Sequence, residues 1–476
     1  MLYGNFLKRL SENLEYVPTG EQALLMARLA KFSFEMQGRD IFLLKGYAGT
    51  GKSSLVGAFV KTLAQFRIRS VLMAPTGRAA KVFGQYAATP AFTIHKKIYR
   101  QKGFSPDMAG FSLTENRFRN TLFIVDEASM IADSSNDSAF CGSGSLLDDL
   151  LEFVYSAPGC KLVLIGDSAQ LPPVGKSESP ALDTEALTAR GFSVTEMELE
   201  EVVRQESDSG ILTNATALRN KIGVFPAPMP ELRIKGFADI RRVSGEMLIE
   251  ELDSAYSHDG IEETVIITRS NKRANIFNDG VRNRLLYREE ELTCGDLLLI
   301  ARNNYFWGEE SEGIDFIANG DTARVMRVHH YESMYGFRFA DVTLLLIDYD
   351  IEIDAKIILD TLHTESPSLT PDMNNMLFNR VMEDYADVKQ KRERLKRVKS
   401  DVWYNALQVK YAYAVTCHKA QGGQWKNVFL DMGNINADAL GTEFYRWLYT
   451  AFTRATERLY LINMPEMFVA DSGGES

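Results

Sequence analysis

Gly46-Tyr47-Ala48-Gly49-Thr50-Gly51-Lys52-Ser53 has the residue types and spacing to hold a polyphosphate. Glycines let the backbone turn its N–H groups inward with no side chain in the way. A helix opening behind them adds the positive end of its dipole. In that arrangement Lys52 reaches the β- and γ-phosphates and the Ser53 hydroxyl sits on Mg²⁺. A glycine-rich turn before an ordinary helix would share the glycines, but it gives no reason for the lysine and serine. The stretch predicts binding of a nucleoside triphosphate.

Three further sets of residues extend that chemistry. Asp126-Glu127 closes an apolar run; Asp126 is placed to hold Mg²⁺ and Glu127 to orient and deprotonate a water. An acidic pair at a strand end is often only a turn, so its weight comes from following a phosphate loop in the same sheet. Gln170, in Gly166-Asp167-Ser168-Ala169-Gln170-Leu171-Pro172-Pro173, can report on a γ-phosphate because its amide both donates and accepts. The bland reading is a proline-rich turn. Arg204 and Arg454 are candidate cations for the charge that develops in phosphoryl transfer, where such an arginine is worth about 10³–10⁵ in rate. Arg454 can complete the site only if the part of the chain carrying it faces the nucleotide.

Thr76, Arg78, His95, Thr416 and His418 lie in segments mixing hydroxyl, imidazole and basic groups, a chemistry suited to phosphodiester oxygens. Phe92, Phe111 and Phe118 could stack bases, although core packing is the commoner use of a phenylalanine. A structural role is the alternative for His95 and His418.

These residues must be positioned by elements, and the pattern supplies them. Residues 1–38 read as helical. Short apolar runs at 41–44, 71–73, 121–125 and 161–165 alternate with helical patterns, which is how a buried parallel sheet reads. Ligands in such sheets collect at the carboxyl ends of strands, where the residues above sit. A second α/β pattern begins near 235, with 265–267, 297–299, 428–430 and 459–461 as its clearest strands. Between them, 323–328, 337–347 and 351–359 read as consecutive strands of a small β-domain. A long helical pattern follows, with Phe378, Val381, Tyr385, Val388, Leu395, Val398 and Val402 on one face. Its other face is basic, usually just a solvated surface. Residues 100–119 form an excursion from the first sheet, and 133–145 read as a flexible loop.

At 476 residues, 45% hydrophobic and 25% charged, the chain is long enough for two to four domains. Its apolar runs are far too short to cross a membrane. The first residues carry no secretory pattern, and Cys141, Cys160, Cys294 and Cys417 have neither metal nor disulfide spacing. A reducing cytoplasm is the expected setting. A net charge of −11 excludes a uniformly basic surface. It does not exclude a strand gripped in an internal groove.

Taken together the segments resemble those of a superfamily 1 helicase of the B type, RecD- and Dda-like. In order they are Gln22, GYAGTGKSS, APTGRAAKV, TIHK, VDEASM, GDSAQLPPVG, VVRQ, AVTCHKAQGGQ and YTAFTRAT. The resemblance implies an α/β fold of two RecA-like parallel-sheet domains. The first is 1–234, with a small pin-like insertion at 99–120. The second is 235–326 with 410–476, and a β-barrel-like domain with the basic helix is inserted at 327–409. It implies a nucleotide site of Gln22, Gly46, Gly49, Thr50, Gly51, Lys52, Ser53, Ser54 and Gln424. Mg²⁺ falls on Ser53 and Asp126, and catalysis on Lys52, Glu127, Gln170, Arg204 and Arg454. Single-strand contacts fall near Thr76, Arg78, His95, Thr416 and His418. The implied activity is ATP-driven 5′→3′ movement on single-stranded DNA and at its junctions with duplex, by a monomer, with replication or repair proteins as partners and no membrane. Gly422-Gly423-Gln424 departs from the family's usual Gly-Ser-Glu. A translocase that displaces proteins without unwinding, and a P-loop regulatory subunit of a repair complex, are the alternatives. A regulatory switch leaves the second-lobe arginine and the strand-end hydroxyls unexplained.

Overall fold

Apolar runs that end in glycine or acidic residues build the first sheet. The computed structural model describes residues 2–35, 38–101, 111–133, 143–203, 208–308, 317–433, 435 and 440–470. Strands β1 (Asp40–Gly46), β2 (Arg69–Ala74) and β3 (Ala91–Thr93) are followed by a two-stranded antiparallel ribbon, β4 (Tyr99–Gln101) with β5 (Phe111–Leu113). Then come β6 (Thr121–Val125), β7 (Lys161–Gly166) and β8 (Ser193–Leu199). Apart from the ribbon these make a six-stranded parallel sheet in the order β3-β2-β6-β7-β1-β8. Because β6, β7 and β1 are neighbours, the loops carrying Asp126, Gln170 and Lys52 leave the sheet side by side.

Both faces of this sheet are covered, so its strands are apolar along their length rather than alternating. Helices Leu2–Asn13, Gly20–Phe34 and Lys52–Gln65 pack on one face through Phe6, Leu25, Phe59 and Leu63 against Phe42 and Leu44. Helix Leu146–Tyr155 covers the other through Leu150, Phe153 and Val154 against Phe123 and Leu164. Each fully buried phenylalanine of this kind contributes about 1.5–3 kcal/mol relative to an exposed one. Thr19 and Gln22 form a capping box at Gly20–Phe34, and Thr76 caps Gly77–Ala87 through the Ala79 N–H. Each hydroxyl satisfies an N–H that the first turn leaves without an intrahelical partner.

The second lobe begins with β9 (Ile240–Val243) and β10 (Thr264–Thr268). A closed barrel follows, made of β11 (Leu297–Ile300), β12 (Thr322–Met334), β13 (Phe337–Leu346), β14 (Ile351–Ile358) and β15 (Leu407–Tyr411). The lobe resumes with β16 (Ala414–Thr416), β17 (Trp425–Asp431) and β18 (Ala455–Ile462), in a five-stranded parallel sheet ordered β16-β10-β17-β18-β9. Between β12 and β13, Tyr335 (φ 54°) and Gly336 (φ 75°) form the two-residue turn. Positive φ at both positions matches the twist of a tight hairpin.

Several boundaries differ from the sequence expectation. Leu297–Ile300 was expected in the second parallel sheet; it is instead the first strand of the barrel, pairing antiparallel with β12 and with β15, Leu298 opposite Tyr411. The barrel therefore starts well before 327, and β12 begins at Thr322. The expected domain boundary near 235 falls inside a cluster shared with the second lobe. Ile211, Ala215 and Leu218 of helix Gly210–Arg219 pack there with Leu232, Tyr445 and Leu448. The long basic helix is two helices, Pro371–Asp384 and Lys391–Lys399. Folding back brings Val381 and Val398 into one apolar cluster, whereas a continuous helix would hold them about 26 Å apart. The ribbon β4–β5 occupies the place of the pin-like excursion, with 102–110 outside the described residues. Most of the loop expected at 133–145 also lies outside them. Among the described residues no helix is long and apolar enough to cross a membrane.

Candidate active site between the lobes

The phosphate loop turns directly out of β1. Gly49 (φ 81°) and Gly51 (φ 78°) take left-handed backbone conformations, which glycine adopts without strain. Gly51 also has no room for a side chain: a Cβ there would lie 2.5 Å from the Tyr16 hydroxyl and 2.6 Å from Gln22 Nε2. The cap of the helix Lys52–Gln65 is Gly51, which has no side chain to bond the first turn, so the N–H groups of that turn are open to a ligand. The Lys52 ammonium donates to the carbonyls of Gly46 and Tyr47, folded back over the loop that a phosphate would fill.

Behind the loop, Gln22 is buried and donates from Nε2 to Thr50 O at 2.9 Å and to the Tyr16 hydroxyl at 3.2 Å. In this arrangement it braces the phosphate loop. In front lies a cavity of about 580 Å³. Gly49, Gly51, Lys52, Ser53, Ser54, Asp126, Glu127, Gln170, Gln424 and Arg454 all line it, together with Tyr16, Tyr47, Tyr86 and Asp167. Gly46 and Thr50 form the loop without lining the cavity.

Asp126 and Glu127 stand at the end of β6. Glu127 has φ 52°, an uncommon conformation for a side chain of this size, and its N–H donates to Asp126 Oδ1 at 2.8 Å. Asp126 Oδ2 accepts from the Tyr86 hydroxyl. Burial raises both carboxyls above the usual carboxylate range; the Tyr86 bond draws Asp126 back, and the Arg454 charge draws Glu127 back. A buried carboxyl held near a cation suits proton abstraction better than a freely hydrated one.

Arg454 reaches this group from the far side of the cleft. Only 2% of it is exposed, and its Nη1 lies 3.8 Å from Glu127 Oε1. Nε donates to Thr450 O at 3.1 Å and Nη1 to Gly423 O at 3.2 Å, so the guanidinium is aimed by its own lobe. Arg204 lies outside the described residues. Gln170 is buried, and among the described residues its Oε1 has no hydrogen-bond partner. An unpaired acceptor of that kind is costly unless a ligand or water meets it.

The expected strand contacts come from both lobes, Thr76, Arg78 and His95 from the first and Thr416 and His418 from the second. Thr76 caps its helix. Arg78 turns toward the second lobe, donating to Gln424 O at 3.2 Å with its guanidinium 3.9 Å from the Trp425 ring centroid. It therefore joins the two lobes while also lining a cleft with Lys81 and Lys419. Burial lowers His95 to about 4, with Asp149 as its charged neighbour, and its ring lies 5.6 Å from that of Tyr99. It is partly exposed, on the short helix Ile94–Ile98 of the first lobe. Burial lowers His418 as well. Thr416 lines a small cleft with Lys410, Lys419 and Asn271. Of the phenylalanines, Phe118 packs edge-on against Phe123, Phe92 lies beneath the Lys97 ammonium at 3.8 Å, and the Phe111 side chain lies outside the description.

Sequence reasoning did not find the tyrosines. Tyr16 braces Gln22, Tyr86 holds Asp126, and Tyr449 bridges the lobes by accepting from the Ala48 N–H at 2.9 Å and donating to Asp167 Oδ2 at 2.7 Å. Tyr449 lies inside the quoted segment YTAFTRAT, and only its neighbour Arg454 was singled out there.

Comparison with known proteins gives one family match in each half of the chain. An AAA domain matches residues 20–223 and a UvrD-like helicase C-terminal domain matches residues 411–462. The ATP-dependent RecD2 DNA helicase of Deinococcus radiodurans is 25% identical over 460 residues, covering 92% of this chain and 48% of that protein. The chain thus spans about half the length of that relative. The ATP-dependent DNA helicase dda of Enterobacteria phage T4 is 22% identical over 408 residues, covering 81% of this chain and 86% of that protein. Among solved structures, the Pif1 helicase from Bacteroides in complex with ADP-AlF3 and ssDNA aligns over 96% of this chain and 95% of that one, at 16% identity and a TM-score of 0.48. With the ordered segments in place and each lobe matched by its own domain family, the chain is a superfamily 1 B-type helicase of the RecD/Dda type.

Proposed function

We propose that the chain hydrolyses ATP in the cleft between its lobes and uses the cycle to move 5′→3′ along single-stranded DNA, separating strands at a junction with duplex. The observation that carries this reading is Arg454, donated by the second lobe and buried 3.8 Å from Glu127 of the first. A cation so placed makes the two lobes depend on the nucleotide's terminal phosphate, and loss of that phosphate removes the attraction. The DNA substrate is inferred from RecD2 and dda, both named as ATP-dependent DNA helicases.

In this reading the loop N–H groups and Lys52 hold the β- and γ-phosphates, with Gln22 and Tyr16 bracing the loop. Glu127 orients and deprotonates the attacking water, Gln170 contacts the γ-phosphate, and Arg454 stabilises the charge of transfer. Arg204 is the second candidate arginine. A hydroxyl and a carboxylate, Ser53 and Asp126, are hard oxygen donors of the kind Mg²⁺ takes alongside substrate phosphates. When bound there, Mg²⁺ would neutralise charge on the phosphate oxygens. Both halves of the site come from one chain, which supports a monomer as the working unit.

Strand-displacement assays on 5′-tailed and 3′-tailed duplexes, run with ATPase assays, test the proposal. We expect displacement of the 5′-tailed substrate only, and ATP turnover that rises steeply with single-stranded DNA. Equal stimulation by duplex, RNA or no polymer would remove the strand-groove reading. Displacement of the 3′-tailed substrate alone would reverse the assigned polarity. ATP-driven release of a bound protein without strand separation would favour the translocase.

A further inference from the structure

Tyr449 lies on the helix Thr442–Phe452, just ahead of Arg454. It is 1% exposed, and its hydroxyl is shared between two partners on the opposite lobe. Ala48, which donates to it at 2.9 Å, belongs to the phosphate loop. Asp167, which accepts from it at 2.7 Å, opens the turn carrying Gln170. Asp167 Oδ1 accepts from the Ala169 N–H at 2.9 Å, and Asp167 O accepts from the Gln170 N–H at 3.3 Å. One phenolic oxygen therefore joins the phosphate loop, the Gln170 turn and the helix that delivers Arg454.

A phenylalanine would fill the same space. What the hydroxyl adds is a pair of directed bonds at the buried edge of the cleft, where an unpaired N–H or carboxylate oxygen is costly. The neighbouring bond from the Leu171 N–H to Thr450 Oγ1, at 2.9 Å, also joins the lobes but touches neither the phosphate loop nor Asp167.

We propose that Tyr449 is a positioning residue for ATP hydrolysis, its hydroxyl locking the phosphate loop and the Gln170 turn to the Arg454 helix so that the arginine arrives in register with the reacting phosphate. The inference rests on the cleft being an ATP-hydrolysing site. The hydroxyl takes no part in binding the nucleotide, so its loss falls on turnover.

The test is steady-state ATPase of the full chain with saturating single-stranded DNA, comparing Tyr449→Phe, Asp167→Asn, the double variant and Thr450→Val, with melting temperatures recorded. Tyr449→Phe is expected to lower kcat by about tenfold or more and to leave the KM for ATP within about threefold, the pattern of lost transition-state positioning. In Asp167→Asn the amide oxygen stays on the Ala169 N–H, which leaves the NH₂ facing the hydroxyl, so the bond that Tyr449 donates is lost. The double variant is therefore expected to be no slower than the slower single variant. Thr450→Val, which removes the bond from Leu171 and the hydroxyl's own bond to Arg446 O within the helix, is expected to keep kcat within about threefold.

A Tyr449→Phe kcat matching wild type, a raised KM at unchanged kcat, additive losses in the double variant, or an equal loss in Thr450→Val would each overturn the proposal. Should Tyr449→Phe fail to fold, Asp167→Asn carries the test, and a wild-type kcat there overturns it. Lys52→Ala separates the two levels. If the wild-type chain has no ATPase that Lys52→Ala removes, the site reading fails and this inference with it; if it has, and Tyr449→Phe matches wild type, only the inference fails.

Discussion

Glu127→Gln will bind ATP and single-stranded DNA normally and turn ATP over about 10²–10⁴-fold more slowly, the range typical of losing a positioned base. The substitution keeps the size and planarity of the side chain and leaves the backbone N–H on Asp126 Oδ1, so the loop has no reason to rearrange. It removes the capacity to take a proton from water. Burial already raises this carboxyl, with Arg454 as the opposing influence, which is the setting of a base rather than of a surface charge. Fluorescent-nucleotide binding and strand-binding titrations should match wild type while a phosphate-release assay falls to the new rate. Full turnover in the variant would remove Glu127 from the mechanism and leave the acidic pair as a strand-end turn.

Arg454→Ala should lose still more, about 10³–10⁵ in turnover, the worth of a cation supplied to the transferred phosphoryl group. Nucleotide affinity should change little, since the loop and Lys52 hold the phosphates from the other lobe. Arg454 is also a buried anchor, donating to Thr450 O and Gly423 O; truncation removes both bonds, although Thr453 Oγ1 still donates to Thr450 O at 2.9 Å. Arg454→Lys keeps the charge without the planar fork, and it too should remain far below the wild-type rate. Single-turnover hydrolysis, with melting temperatures for both variants, measures this. Unchanged hydrolysis in Arg454→Ala would mean that the second lobe contributes nothing to the reaction.

The parts legible in the sequence were those whose function dictates residue type. A phosphate cradle needs glycines with positive φ, a lysine and a hydroxyl at fixed spacing, and Gly49, Gly51, Lys52 and Ser53 take those places. Parallel strands buried on both faces announce themselves as apolar runs, so β1, β6 and β7 were visible, and with them the loops holding Lys52, Asp126 and Gln170. Long-range pairing was not visible. Leu297-Leu298-Leu299 reads the same in a parallel sheet as in a barrel; only its register with Arg324 and Tyr411 decides between them. The break between Pro371–Asp384 and Lys391–Lys399 carries neither proline nor glycine, and it follows from a cluster that needs both helices. The tyrosines escaped for a related reason. A tyrosine on a helix reads as core, and its hydroxyl gains meaning only through a distant partner, 40 residues away for Tyr86 and 401 for Tyr449; Tyr16 lies outside any helix, where nothing marks its bond to Gln22.

The stack of Arg78 on Trp425 also makes the molecule its own reporter. The guanidinium comes from the N-terminal half, the indole from the C-terminal half, and Trp425 is 6% exposed. Parting the halves strips the cation from one face of the indole and admits water to it, shifting its emission toward longer wavelengths. With Trp307, Trp403 and Trp447 replaced by phenylalanine, ultraviolet light alone would follow opening and closing through each round of ATP, with no dye attached.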